Sequence, residues 1–175
     1  GWIDLLANFQ EPGYEQMEDF KSGIKAASAG GFTKVILSPA TNPVRDSKSE
    51  FDYLKSASKN AVVDIYGYAA ISANLEGKQL SEINETKEAG AVAIFDDRKS
   101  IENPNLLKNA LLYAKGVDQL VVNFPFTKSL AVHGVMNEGI NSTSLGLKGM
   151  PAMAETIMVE RDLAINEYAN GRLHF

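Results

Sequence analysis

The residues that could do chemistry in this chain follow directly on short apolar runs. The runs AVAIF and QLVV are followed by Asp96, Asp97, Arg98 and Asn123. Metal catalysis would need several histidine and carboxylate ligands that converge on one point and leave one coordination position open. The chain has two histidines, His133 and His174, and one acidic pair at the end of a run. These residues alone are a weak indication of a metal site.

Each of these candidates also has a structural interpretation. Asp97 would cap a turn or pair with its neighbour Arg98. His133 is expected in a loop without a catalytic role, and His174 is expected as a buried histidine with satisfied hydrogen bonds. The chain contains neither a G-x-S-x-G nucleophile motif nor a glycine-rich P-loop for nucleotide phosphates.

The composition excludes several classes of protein. The 175 residues suit one domain, and 45% of them are hydrophobic, as in ordinary globular proteins. Seventeen Lys and Arg against 22 Asp and Glu give a net charge of −5, which argues against a nucleic-acid partner. The absence of cysteine excludes a disulfide scaffold and a thiol nucleophile. No apolar run reaches the ~18–20 residues of a membrane span, and GWIDLL lacks the basic start of a signal peptide, so a cytoplasmic protein is expected.

Short β-rich runs alternate with helical patterns along the chain. The runs predict strands over residues 2–6, 32–37, 61–69, 91–95 and 119–122. The spacing of apolar residues predicts helices over 15–28, 47–58, 81–89 and 104–115. The strands are almost continuously apolar, which is typical of a parallel sheet buried on both faces. The predicted fold class is therefore α/β.

The order of these units favours a barrel over an open sheet. The first strand runs into ANFQEPGYE and lacks the glycine-rich turn of an open dinucleotide-binding sheet. After a long loop over 125–150, a helix over 151–170 is expected to turn Met153, Ile157 and Leu163 inward, and a sixth strand starts at 172. These elements make about the first five and a half βα units of a (β/α)8 TIM barrel, which typically takes ~250 residues. Residues 1–175 are thus expected to be a single barrel segment and a fragment of a longer chain, with closure against another chain as the alternative.

Several stretches of the chain together resemble the dihydroorotases of the amidohydrolase superfamily. They are DLLANFQEPGYE, AASAGGFTKVILSPATNPVRD, AGAVAIFDD, GVMNEG and LGLKGMPAMAETIMVERDLAI. The resemblance covers nearly the whole chain in one register. It implies a metal-dependent barrel of the amidohydrolase type, zinc as the family's cofactor, and a place in pyrimidine biosynthesis.

By the same register, most metal-ligand positions of the family are changed in this chain. The positions of its two strand-one histidines and its strand-five histidine are occupied here by Leu6, Asn8 and Asn123. Leucine cannot bind a metal, and a neutral amide is a poor substitute for imidazole. The family's metal-bridging aspartate is retained as Asp97. The resemblance therefore predicts that a dinuclear zinc site does not form, so no cofactor is expected.

The substrate-binding positions of the family are changed in part. The arginine that holds the substrate carboxylate falls on Gln10, which lacks the charge and the two-pronged geometry of a guanidinium. The substrate-contacting asparagine is retained as Asn42, and Arg98 replaces a glycine, which would place a cation where the metals lie. The strand-six ligand histidine and the strand-eight catalytic aspartate of the family would follow Phe175.

Three functions remain open at this point. The first is a catalytically inactive dihydroorotase homologue with an assembly role, as a homo-oligomer or as a partner of aspartate transcarbamoylase or of an active dihydroorotase. The second is an active cyclic amidohydrolase, a dihydroorotase or a related ureide hydrolase, whose altered metal site is built around Asp97 and Asn123. The third is a ligand-binding module that uses Asn42 and the segment 141–148 without chemistry.

Overall fold

The computed structural model describes residues 1–175 and has eight strands, all of which pair in parallel. The strands are β1 (Trp2–Ala7), β2 (Phe32–Leu37), β3 (Asp64–Gly67), β4 (Ala93–Phe95), β5 (Leu120–Val122), β6 (Met136–Asn137), β7 (Gly149–Met150) and β8 (Leu173–His174). Two three-stranded sheets have the orders β1-β2-β3 and β4-β5-β8. A parallel bridge between Ala69 and Ile94 joins them, so six strands follow one another in a single parallel succession.

Six α-helices accompany these strands, and their starts are set by local capping. The helices are α1 (Phe20–Ala29), α2 (Lys48–Ala57), α3 (Ile83–Glu88), α4 (Pro104–Gly116), α5 (Ile140–Ser144) and α6 (Met153–Ala169). The Asp19 side chain accepts the Ser22 N–H, and the Ser22 hydroxyl oxygen accepts the Asp19 N–H, which is a capping box. The Asn103 side chain caps α4, and Pro104 follows in the first helical position, where its missing N–H is no loss.

The hydrophobic core lies mainly between the strands and the helices. One cluster of 21 buried residues contains side chains of strands and of helices, among them Val35, Ile94, Val121, Leu107 and Leu111. The second cluster contains strand and strand-flanking side chains alone and is small: Tyr68, Ala93, Phe95 and Val122. Successive strand residues point to opposite faces of the sheet. The large cluster, which includes helix residues, therefore lies on one face, and the small cluster lies on the other. This is the α/β class that the sequence predicted.

The structure differs from the sequence predictions at several element ends. Helix α1 begins at Phe20 rather than at 15, because residues 11–17 form turns and Asp19 supplies the cap. Strand β3 is four residues long instead of nine. The predicted loop over 125–150 contains β6, α5, β7 and a 3-10 turn (Lys128–Leu130).

Helix α6 turns a different face to the core than the apolar pattern predicted. Its buried residues are Ala154, Met158, Asp162 and Ala169. Met153, Ile157 and Leu163, expected to point inward, are each about half exposed, at 50%, 44% and 52%. The buried stripe recurs every four residues from Ala154 to Asp162, as helical geometry requires, but it includes an acidic residue. The structure contains no helix with the length and apolarity needed to cross a membrane.

Candidate functional site

The carboxyl ends of the parallel strands form the edge at which α/β folds place their ligands, and Asp96 is one of the buried residues there. It follows β4 directly and is 1% exposed. Its Oδ1 accepts the backbone N–H groups of Ile71 and Ser72, at 2.7 and 3.0 Å, and its Oδ2 accepts the Ser72 hydroxyl. Burial raises the pKa of this carboxyl above its ordinary value, although the three hydrogen bonds act in the opposite direction. Asp96 thus fixes the segment after β3, and both of its carboxylate oxygens are engaged within the chain.

Asp97, the adjacent residue, differs from Asp96 in backbone conformation and in hydrogen bonding. Its backbone has a φ of 55°, in the left-handed region that aspartate and asparagine tolerate better than most residues. Its Oδ1 is buried and has no hydrogen-bond partner. No ion pair joins Asp97 to Arg98, which is exposed, so the predicted structural role for Asp97 as a partner of Arg98 is wrong. Asp97 therefore presents a carboxylate oxygen that the rest of the chain leaves unused.

Asn123 ends β5 and is held from the helix side of the sheet. It is 2% exposed, and its Nδ2 donates to Asp162 Oδ2 on α6 at 2.6 Å. Asp162 Oδ1 in turn accepts from Arg161 Nε and Nη2 at 2.8 and 2.6 Å. Burial raises the pKa of Asp162, while Arg161 and Asn123 act to lower it. The amide oxygen of Asn123 is buried without a partner, as is the free oxygen of Asp97.

Leu6 and Asn8, the two changed positions at the end of β1, do not extend this site. Leu6 is 37% exposed, and its backbone N–H donates to Asp4 Oδ1 at 3.0 Å. Asn8 is half-buried, and no hydrogen bond links it to Asp97 or to Asn123. We call the edge formed by the carboxyl ends of the strands the rim. At the end of β1, this rim therefore offers an apolar side chain and one amide in place of charged or imidazole ligands.

Gln10 and Asn42 lie in two loops that pack against each other. Gln10 has a φ of 58°, and its carbonyl accepts the Tyr14 N–H at 2.9 Å. Asn42 is exposed, and its backbone N–H donates to the Pro12 carbonyl at 2.9 Å. Gly13 permits this approach, because a Cβ there would lie 2.4 Å from the Asn42 carbonyl oxygen and its φ is +102°. The structure thus places the loops after β1 and β2 side by side at the rim.

The remaining predicted residues are exposed or lie in other loops, away from Asp97 and Asn123. His133 is exposed in the loop before β6, as expected. His174 is exposed in β8, so its expected role as a buried core histidine is wrong. The segment 141–148 contains most of α5 and makes no hydrogen bond to the loop that carries Asn42. The structure therefore does not combine Asn42 and this segment into one binding site.

Two residues important to the site escaped the sequence analysis. Asp162 was hidden in a helix that was read for its apolar residues, yet its position eight residues after Ala154 is on the buried stripe. A polar residue on such a stripe is a signal, because a buried carboxylate needs partners. Glu11, in the turn after β1, is the second such residue. Its carboxylate accepts the Phe20 N–H at 2.8 Å and the Tyr53 hydroxyl at 2.6 Å, which ties the β1 loop to α1 and α2.

The donor atoms at the rim do not fit the dinuclear metal site that the resemblance implies. The chain contains no group of three or more His, Asp, Glu or Cys side chains that could together hold a metal ion. Asp97 is the single carboxylate with a free buried oxygen, and Asn123 is engaged by Asp162 through its amide nitrogen.

Comparisons with known proteins agree with one family. A family model described as dihydro-orotase-like matches residues 1–175. Proteins named dihydroorotase from Syntrophus aciditrophicus and from Acetivibrio thermocellus are 43% and 42% identical over 175 residues, which is 99% of this chain and 41% of each relative. The chain thus spans about two fifths of the length of the curated relatives it matches.

A solved structure shares the fold at low sequence identity. It is an L-hydantoinase (dihydropyrimidinase) from Arthrobacter aurescens, with a TM-score of 0.74 and 19% identity, and it matches over 99% of this chain and 40% of its own. The α/β architecture described above thus resembles the fold of this hydantoinase. With the family model matching from the first residue to the last, the chain belongs to the dihydro-orotase-like family.

Proposed function

We propose that this chain is part of a dihydroorotase-like protein of pyrimidine biosynthesis that has lost the catalytic step. In this proposal, residues 1–175 make about the first five and a half βα units of a (β/α)8 barrel of the metal-dependent amidohydrolase type. The match of the whole chain to relatives named dihydroorotase supports the family role. The proposed loss of catalysis rests on the chemistry of the rim residues.

The observation that carries the proposal is that no three His, Cys, Asp or Glu side chains of this chain form a group that could hold a metal ion. At the end of β5, the hydrogen bond from Asn123 Nδ2 to Asp162 Oδ2 at 2.6 Å leaves only a neutral amide oxygen, which is a poorer zinc ligand than imidazole. At the other changed positions, Leu6 is apolar and Gln10 has no charge to hold a carboxylate. A metal lowers the pKa of a bound water to about 7 and polarises the ring amide; without it, neither effect is available near neutral pH.

A protein without the catalytic step would act through its surface and its fold. The helix-side cluster of 21 buried residues supports a scaffold that stays folded although its site residues have changed. The partners that suit this role are a second copy of the chain, an active dihydroorotase or aspartate transcarbamoylase, in the cytoplasm. Co-purification of the intact protein with aspartate transcarbamoylase, or a stable homo-oligomer in sedimentation analysis, would support the assembly role; a monomer that captures neither enzyme would contradict it.

The decisive experiment measures zinc and hydrolysis together on the intact protein. Metal analysis after zinc exposure and dialysis should find far less than the about two zinc ions per chain of a dinuclear hydrolytic site. Dihydroorotate hydrolysis with added zinc should stay at the uncatalysed background. The Syntrophus aciditrophicus dihydroorotase, assayed in parallel, is the positive control. About two zinc ions per chain, or a rate well above background, would overturn the proposal.

One observation favours a second candidate, an active cyclic amidohydrolase with a rebuilt site. Asp97 and Asn123 follow adjacent strands, and the Oδ1 atom of each is buried without a hydrogen-bond partner. Buried polar atoms without partners are rare in folded proteins and often mark a bound water, ion or ligand. Under this candidate, Asp97→Asn would abolish a measurable rate on dihydroorotate or a related ureide, whereas the first candidate predicts no rate to abolish.

A further inference from the structure

Of the positions that the family resemblance singles out, only Arg98 lines a cavity beside the rim. It has a volume of about 340 Å³ and lies between the loops that follow β3, β4 and β5. This volume is within the range of sites for small molecules, and the location is the strand edge at which α/β folds bind their ligands. Asp97 and Asn123 do not line it, although both are its neighbours in sequence. The cavity is therefore a separate candidate site.

Three cationic side chains converge on this cavity in a chain whose net charge is −5. Arg98 and Lys99 enter from a turn after β4 that is closed by the Lys99 N–H to the Asp96 carbonyl at 3.1 Å, and Lys128 enters from the loop after β5. None of the three forms a salt bridge with a carboxylate. Lys99 Nζ has one neutral partner, the Leu75 carbonyl at 3.1 Å. Arg98 and Lys128 thus have no acidic partner within the chain, whereas the charge of Lys99 acts to lower the pKa of Glu76 and of Asp96.

The acidic side chains of the cavity are largely engaged elsewhere. Glu76 pairs with Lys78 at 2.9 Å, and both carboxylate oxygens of Asp96 accept hydrogen bonds from neutral donors. Glu102 is the one lining carboxylate without a hydrogen-bond or ion-pair partner. With Glu76 compensated by Lys78, three cations face the two carboxylates Asp96 and Glu102, so the cavity has a cationic excess that favours an anionic ligand.

Two phenylalanine rings give the cavity an apolar wall. The rings of Phe124 and Phe126 are stacked, with centroids 5.7 Å apart and an interplanar angle of 28°. Ser100 fastens this wall, because its hydroxyl donates to the Phe126 carbonyl at 2.8 Å and accepts the Phe126 N–H at 3.1 Å. A flat ring can pack on such a surface.

We propose that this cavity binds a small anionic molecule, a phosphate or carboxylate group carried on a flat apolar ring. Arg98 and Lys128 hold the anion, and the Phe124–Phe126 wall packs against the ring. The guanidinium of Arg98 can offer two parallel N–H donors to either anion. This site goes beyond the proposed function and does not depend on whether the protein is catalytically active.

Calorimetric titration of the intact protein with phenyl phosphate, benzoate and inorganic phosphate tests the proposal. A ring-bearing anion is expected to bind with a dissociation constant of about 1 mM or lower, and the tighter of phenyl phosphate and benzoate identifies the preferred anion. Arg98→Gln and Lys128→Gln should each weaken binding roughly fivefold, less than a fully buried charged hydrogen bond because both side chains are exposed. Phe124→Ala should weaken phenyl phosphate binding and leave inorganic phosphate unchanged.

Lys59→Gln is the matched control, because it removes the same charge from an exposed lysine at the opposite, amino end of β3. It should leave all three affinities unchanged. The proposal is overturned if neither ring-bearing anion binds at about 10 mM. It is equally overturned if Lys59→Gln weakens binding as much as Arg98→Gln, because the attraction would then come from the overall charge and not from the cavity.

Discussion

The two carboxylates that follow β4, one on each face of the sheet, differ in how completely they are hydrogen-bonded. On the helix side, Ile94 and Val121 are fully buried in the large cluster, and Asp96 beyond β4 has a partner for each carboxylate oxygen. On the opposite face, Phe95 and Val122 belong to a cluster of four buried residues, and Asp97 beyond them has an oxygen with no partner. One residue of sequence thus separates a saturated carboxylate from an unused one.

This difference separates the requirements of folding from those of function. The helix side holds the α/β architecture together, so substitutions of its buried residues would destabilise the fold. The opposite face and the rim are where the dihydro-orotase-like family resemblance places functional residues, and there this chain has Leu6, Asn8 and Gln10. Stability measurements can show whether the two faces differ as strongly in energy as they do in contacts.

The largest effect is expected at the centre of the helix-side core. Leu111 on α4 is 0% exposed, so Leu111→Ala should lower the free energy of unfolding by about 2–5 kcal/mol through lost burial and a residual cavity. Leu112, the next residue, is 42% exposed, and Leu112→Ala should change it by less than about 1 kcal/mol. Urea denaturation monitored by circular dichroism measures both. Equal losses would mean that the helix side does not carry the fold.

A smaller loss of stability is expected from breaking the contact between α6 and the end of β5. Asp162→Ala removes the acceptor of Asn123 and the partner of Arg161, which leaves polar groups unpaired in a buried region. Because Arg161 is a quarter exposed, we expect a loss of about 2–3 kcal/mol, below that for breaking a fully buried pair. Glu160→Ala, an exposed acidic residue two positions earlier, is the control and should be neutral in the same denaturation experiment. A neutral Asp162→Ala would show that the buried network does not stabilise α6.

Short-range sequence signals predicted some elements well and others poorly. Strand β2 agrees with the prediction residue for residue, because Gly31 precedes it and a polar turn follows. The predicted start of helix α1 is five residues too early, since the apolar spacing continues through Met17 although the Asp19 cap sets the start. Helix α6 has apolar residues on two faces, and their spacing alone does not tell which face meets the sheet. That choice depends on contacts between distant parts of the chain.

The candidate site was predicted in its residue types but not in its contacts. The sequence placed Asp97 and Asn123 at the ends of neighbouring strands, which the structure bears out. It did not reveal that Asn123 is held by Asp162, 39 residues later. Nor did it reveal that Arg98 lines a separate cavity instead of contacting Asp97. Such contacts depend on which face of α6 packs and on how the turn after β4 closes.

A moderate effect with a defined pH dependence is expected at Asp96. Asp96→Asn keeps one oxygen for the backbone N–H groups but places an amide against the Ser72 hydroxyl, so a loss of about 1–2 kcal/mol is expected at neutral pH. Burial raises the pKa of Asp96 above 3.8, so the folded protein binds a proton more tightly than the unfolded chain. Wild type should therefore gain stability relative to Asp96→Asn as the pH falls from the raised pKa toward 3.8.

Urea midpoints of wild type and Asp96→Asn, measured across this pH interval, check the sign of the effect. Asp52→Asn, at an exposed carboxylate on α2, is the control for general charge effects and should run parallel to wild type apart from its own ion pair with Lys48. A stability difference that shrinks as the pH falls would contradict a raised pKa at Asp96.

The smallest effect is expected at Asp97, the neighbour of Asp96 in sequence. Asp97→Asn removes no recorded hydrogen bond at Oδ1, and asparagine tolerates the φ of 55°, so the free energy of unfolding should change by no more than about 0.5 kcal/mol. Asp97→Val is the contrasting variant: a β-branched residue at this φ should cost about 1–2 kcal/mol through backbone strain alone. If Asp97→Asn destabilised the protein as much as Asp96→Asn, the unused oxygen would have a structural partner in solution, such as an ordered water. The contrast between the two faces would then be one of hydration and not of function.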